Sequence, residues 1–180
     1  MSTLTLKELS APTGEVIKIA AGKTLALNSQ GTLILPTVPS AKMPAGSVLQ
    51  VKIAYDTSVM TTSSATYVAT GLQLAITPSS TSSKILCFWN VQARSAVASK
   101  GFGTQLLRGS TTLFTSATNY AVYAGGAADV RMNGDWKHLD SPNTTSEITY
   151  SIKVSAHGGG TLNFNDASNQ TSIVLMEIQG

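Results

Sequence analysis

Beside its serines, threonines, lysines and tyrosines, the chain offers two histidines, one cysteine and nine side-chain carboxylates for acid–base, nucleophilic or metal chemistry. His138, Asp140 and Ser141 have the residue types of a hydrolase triad. A triad, however, is defined by geometry across the fold, with a base oriented by a third group, and three residues crowded at a strand end do not supply it. His157 has the polar parity of its segment and is expected to face solvent before Gly158-Gly159-Gly160. Asp135, His138 and Asp140 carry metal-ligand types, but the chain has no HExxH and no paired cysteines. Asn163, Asn165, Asp166 and Asn169 lack the spacing and closing glutamate of a calcium loop and read as a turn. Gly101-Phe102-Gly103 lacks the third glycine, the lysine and the following helix of a phosphate loop. No catalytic residue, metal or cofactor is expected, and the chain is read as a non-enzyme.

The segment from Tyr120 to Trp136 suits recognition better. Aromatic rings beside planar polar groups match sugars and protein surfaces, so Tyr120, Tyr123, Arg131 and Asp135 form the candidate ligand surface. Trp136 is equally well explained as core. Asn143-Thr144-Thr145 and Asn169-Gln170-Thr171 match the glycosylation pattern, which matters only on a secretory route.

Composition narrows the class. Charged residues are 12% of the chain, about half the usual share, while hydrophobic residues at 42% are near the globular norm. Such a chain folds rather than stays disordered. The net charge is +3, from single, non-adjacent lysines and arginines; a nucleic-acid binder concentrates positive charge, so no nucleic-acid partner is expected. No stretch approaches a membrane span, and MSTLTLKELS is not the apolar core of a signal peptide. Synthesis and folding in a cytoplasm are expected. Cys87 lies in the apolar run Ile85 to Val91 and reads as a small core residue.

The elements that would position these residues are strands. Ile148, Tyr150, Ile152, Val154 and Ala156 alternate with Glu147, Thr149, Ser151, Lys153 and Ser155, the period of a sheet packed on one side. Strands are predicted at 47–55, 66–69 with 72–77, 84–94, 102–108, 111–115, 120–124, 128–138, 146–156, 161–164 and 172–178. Turn residues separate them at hairpin spacing. The expected fold is all-β: an antiparallel jelly roll or β-sandwich head over residues 47–180. Residues 1–46 differ. Short apolar segments there start eight residues apart and carry Val16, Ile17, Ile19, Leu25, Leu27, Leu33 and Leu35. They read as an N-terminal β arm for docking or oligomerisation, too poor in large side chains to fill its own core. Pro36, Pro39 and Pro44 make the linker. Residues 2–10 could form a short helical turn.

Two strands are apolar on both sides. Ile85, Cys87, Trp89 and Val91 alternate with Leu86 and Phe88, and Ile173 and Leu175 alternate with Val174, Met176 and Ile178. A sandwich strand normally buries one face. Burial of the second face against copies of the same chain is the expectation.

MPAGSVLQV (43–51), TGLQLAITPSSTSSKI (70–85), SPNTTSEITY (141–150) and SIVLMEI (172–178), with the opening LKELSAPTGEVIKIAAGKTL, resemble small structural proteins of tailed bacteriophages, especially those infecting cyanobacteria and marine bacteria. The resemblance implies a homotrimer with a jelly-roll head, a tail-fibre or tail-tip role and a place in the virion. Its partners would be itself, tail or major capsid proteins, and a host-surface glycan or protein. The threefold interface is then expected at Phe88, Trp89, Val174, Met176 and Ile178. A capsid decoration protein is the alternative, and a free carbohydrate-binding module a remote one.

Overall fold

Among the described residues the alternating segments become eleven strands: β1 (Val48–Asp56), β2 (Met60–Thr62), β3 (Val68–Ile76), β4 (Lys84–Ser95), β5 (Lys100–Arg108), β6 (Thr111–Thr115), β7 (Val122–Ala124), β8 (Val130–Asp140), β9 (Ile148–His157), β10 (Leu162–Phe164) and β11 (Thr171–Ile178). The structure, a computed structural model, describes residues 39, 42–116, 120–126, 128–166 and 169–180. The arm residues Val16, Ile17, Ile19, Leu25, Leu27, Leu33 and Leu35, and the suggested helical turn at 2–10, lie outside the described residues. The short strand β2 was not anticipated; three residues are too few for a period to show.

Every pairing among these eleven strands is antiparallel. In sheet I the twelve-residue β4 takes β11 and then β10 along one edge and β8 along the other. β10 and β11 therefore continue each other, as β1 and β2 do beside them. In sheet II the order is β3, β9, β5, with β6 and β7 sharing the far edge of β5. Each sheet is thus four composite strands wide. Numbered along the chain, the eight composite strands run 1-8-3-6 in sheet I and 2-7-4-5 in sheet II. That order is the jelly roll, two Greek keys folded into a sandwich.

Local chemistry explains the breaks. Asn165, with φ of +59°, turns the chain between β10 and β11. Its Nδ2 donates to the Ser58 carbonyl at 3.1 Å and its Oδ1 accepts from Thr171 Oγ1 at 2.7 Å. One buried amide thus ties the two interruptions together. Gly71, with φ of +89°, stands inside the irregularity of β3 between Ala69 and Gln73. A bulge there joins into one strand the two pieces expected at 66–69 and 72–77.

The core lies between the sheets. From β9 it takes Tyr150, Ile152, Val154 and Ala156, the alternate residues expected from the sequence. Rings fill its centre. Trp89 meets Phe114 edge-on at 5.3 Å and stacks on Trp136 at 6.2 Å, while Phe102 meets Phe164 edge-on at 5.7 Å. Trp136 is therefore packed against the core. Its indole lies across Gly134, where an added Cβ would come within 2.2 Å of the ring.

Candidate functional site

Sheet II follows the usual rule outward: β9 shows Thr149, Ser151 and Lys153 on its outer side, and β3 shows Gln73. Sheet I does not. Leu86 and Phe88 of β4 point away from the core, beside Met176 and Val174 of β11. Across β11 these pair with Val51 and Ile53 of β1, and across β4 Leu86 pairs with Leu139 of β8. Val48 and Ile178 extend the same face.

The orientation of β1 is the unexpected part. Its apolar residues Val51, Ile53 and Tyr55 alternate with Lys52, Ala54 and Asp56, and the simplest reading turns the apolar side inward. The structure turns it outward, leaving Val51 56%, Ile53 62% and Tyr55 64% exposed. The register with β11 decides this: Lys52 and Ala54 pair with Leu175 and Ile173, which already face the core. Four strands at the usual spacing and seven residues of rise give a face of about 19 Å by about 24 Å, a footprint of about 450 Å². Lys137 opposite Phe88, Lys84 opposite Ile178, and Ser172, Asn90 and Asp135 also stand on it, so its apolar part is about 300 Å², the size of the largest apolar patch on an ordinary monomer.

The face ends in a polar row. Tyr55, Ser172, Asn90 and Asp135 stand opposite one another across four strands. Asn90 Oδ1 accepts from the Ser172 amide at 2.8 Å and from its hydroxyl at 2.7 Å. These short side chains leave a depression of about 330 Å³ between Phe88 and Val174 on one side and Asn90, Asp135 and Ser172 on the other.

Buried polar groups hold the sheet rigid behind the face. Glu177 of β11 is 1% exposed. Its carboxylate accepts from Gln50 Nε2 at 2.6 Å and from the amide and hydroxyl of Ser79, each at 2.7 Å. Burial disfavours its charge, yet the hydrogen bonds from Gln50 and Ser79 outweigh burial and hold the carboxyl below its ordinary range. At the end of β8, Asp140 accepts from Arg108 Nη1 at 2.8 and 2.9 Å and from the Tyr150 hydroxyl at 2.7 Å. Burial, then the bond to Asp140, pushes the Tyr150 hydroxyl well above its usual range. Burial, reinforced by the Asp140 charge, pushes the Cys87 thiol up to about 12, where it is unreactive.

These contacts also dispose of the triad types. Both oxygens of Asp140 are committed to Arg108 and Tyr150 rather than to His138. Among the described residues, no three His, Cys, Asp or Glu side chains are grouped to hold a metal ion.

The residues expected at a threefold interface divide. Phe88, Val174, Met176 and Ile178 share the outer face of sheet I. Trp89 does not: it has the parity of Cys87 and Val91, is 2% exposed, and donates through Nε1 to Thr104 Oγ1 at 3.2 Å. It is a core residue. The candidate ligand surface divides as well. Tyr120 and Tyr123 pack with His157 on the outer side of sheet II, at ring separations of 4.6 to 6.3 Å. Arg131 and Asp135 stand on the outer side of sheet I. The cause is topological: β7 pairs with β5 and β8 with β4, so the chain changes sheets between them. Sequence reasoning missed Val51, Ile53, Tyr55 and Leu139, and placed Leu86 on a doubly apolar strand without naming it at the interface. Their only sequence signal was an apolar β1 beside strands already apolar on both sides.

No family model matches the chain, and no curated protein matches it. Among solved structures it is similar to a chain of the T13 viral particle of IBDV, with 12% identity and a TM-score of 0.44, over 83% of this chain and 40% of that one. It is also similar to a chain of the infectious bursal disease virus VP2 subviral particle, with 12% identity and a TM-score of 0.40, over 83% and 38%. T=1 particles derived from infectious bursal virus give 12% identity and a TM-score of 0.43, over 82% and 41%. The chain spans about two-fifths of the length of these structures.

Proposed function

We propose that this chain is a non-enzymatic virion structural protein, a homotrimeric tail-fibre or tail-tip component whose jelly-roll heads associate through the outer face of sheet I. The observation that carries the self-association is the outward turn of the apolar side of β1. A strand that could have presented Lys52 and Ala54 to solvent instead presents Val51, Ile53 and Tyr55. At about 25 cal/mol per Å², the apolar part of the face, about 300 Å², supplies about 7 kcal/mol per copy before costs. Association costs about 4–15 kcal/mol, so the face holds an oligomer when a well-matched neighbour covers it. The virion assignment rests on the resemblance of the sequence segments to tailed-phage structural proteins. In this reading the arm, residues 1–46, docks to the particle and the heads meet the host surface.

The test has two parts. Sedimentation equilibrium of the full chain gives the number of copies per assembly, and three is the expected result. Gold-labelled antibody on purified particles gives the position and copy number. A few dozen copies at the tail support the reading. Hundreds spread over the head replace it with a capsid decoration protein.

A further inference from the structure

The apolar face carries a projection and a matching recess at opposite edges, and resting on the self-association above, we infer that Tyr55 of one copy inserts into the depression beside Phe88 and Asp135 of the next. Among the described residues Tyr55 is the most exposed of the large apolar side chains, at 64%. It stands on β1, at one edge of the face. The depression lies toward the other edge, over β11, β4 and β8. Three strand spacings, about 14 Å, separate Tyr55 from Asp135 in the same row. Tyr55 cannot reach Asp135 of its own chain; Ser172, at the near side of the depression, is its direct neighbour across β1 and β11, but the 64% exposure of Tyr55 shows that its ring is not sunk there.

The two features match in chemistry. The recess has apolar walls in Phe88 and Val174 and an acidic rim in Asp135. Its volume of about 330 Å³ is at the small end for ligand clefts, the scale of one aromatic side chain with some water. Among the described residues the Tyr55 hydroxyl has no hydrogen-bond partner. Asp135 has one, Asn133 Nδ2 at 3.3 Å from Oδ2, which leaves Oδ1 free. An unpaired donor at the tip of the projection and an unpaired acceptor at the rim of the recess complement each other.

The dimensions admit a closed ring. Edge strands of neighbouring copies must stand at least one strand spacing apart, so three such sheets facing a common axis form a prism with sides of at least about 24 Å and walls about 7 Å from that axis. Stacked sheets lie about 10 Å apart, so one layer of side chains is about 5 Å deep. Three copies of this face therefore leave about 2 Å to the axis, a gap that long side chains such as Phe88 and Met176 can fill. At each corner the β1 edge of one copy, with Tyr55, adjoins the β8 edge of the next, with Asp135. A contact of this kind, repeated by rotation, closes on itself.

The experiment is a cross-link. Tyr55→Cys with Asp135→Cys is made in the full chain and oxidised, then run under denaturing, non-reducing conditions. Within one chain the two positions are too far apart for a disulfide, and buried Cys87 does not compete. Covalent trimers are the expected product. Covalent dimers alone would keep the Tyr55–Asp135 contact but overturn the threefold reading. An intact oligomer with no cross-link would overturn the contact and leave the threefold reading standing. Because removing Tyr55 can itself weaken assembly, a double-mutant cycle of Tyr55→Phe and Asp135→Asn is run alongside. A roughly tenfold or greater rise in the dissociation constant for each single variant, with no further rise in the double, is expected. Additive or absent effects would overturn the contact.

Discussion

Replacing Ile53 by aspartate tests the apolar face most directly, because Ile53 is 62% exposed and touches the core of its own chain little. The monomer should barely respond, since exposed substitutions away from special features stay within about 0.5 kcal/mol. The assembly should respond strongly. Covering the exposed part of an isoleucine is worth about 1–2 kcal/mol, and that is lost. Each copy must also take a carboxylate out of water beside Val174, a cost of several kcal/mol that Lys137, the β8 residue of the same row, offsets only in part. The two terms come to about 4 kcal/mol per copy, on the order of a thousandfold in the dissociation constant of each contact. Sedimentation equilibrium over a range of concentrations reads the dissociation, and thermal denaturation of the variant checks that the head still folds. Gln73→Asp, on the outer side of sheet II, is the control and should leave assembly unchanged. If Ile53→Asp and the natural chain dissociate at the same concentration, sheet I is not the interface and the reasoning from β1 is wrong.

Further predictions concern the frame behind the face. Gly134→Ala places a methyl group against the Trp136 ring and Val122; a loss of about 1–3 kcal/mol by urea denaturation and a changed near-ultraviolet circular dichroism spectrum are expected. An unchanged midpoint would mean that the indole can shift freely. The Glu177 carboxyl is held below its ordinary range in the folded state, so its contribution is present above the unfolded value and fades as pH falls through the folded one. Denaturation midpoints between about pH 6 and about pH 3 should therefore drop less in Glu177→Gln than in the natural chain; equal slopes would contradict the argument. Asp140→Asn leaves Arg108 without its counter-charge, and about 2–4 kcal/mol of stability should be lost, at the lower end because Arg108 keeps some contact with water. A midpoint within error of the natural chain would show that the Arg108–Asp140–Tyr150 cluster contributes little.

What the sequence by itself determined is local. Alternation along 148–156, 84–94 and 172–178 placed strands close to where they occur, and parity separated the inward Tyr150, Ile152 and Val154 from the outward Ser151 and Lys153. It also marked β4 and β11 as apolar on both sides, because parity depends only on the extended backbone. Tertiary structure decided everything that depends on which strands pair. Tyr123 and Arg131 are eight residues apart, yet β7 joins sheet II and β8 joins sheet I, so the ligand surface drawn along the chain is split between opposite faces. Trp89 and Phe88 are adjacent, and only the side of the sheet occupied by the core assigns one to the interior and the other to the surface. The orientation of β1 is the sharpest case. Its alternation is plain in the sequence, but alternation names two sides without saying which is inside. Only the register with β11, more than a hundred residues away, turned Val51, Ile53 and Tyr55 toward solvent and gave sheet I an apolar outer side.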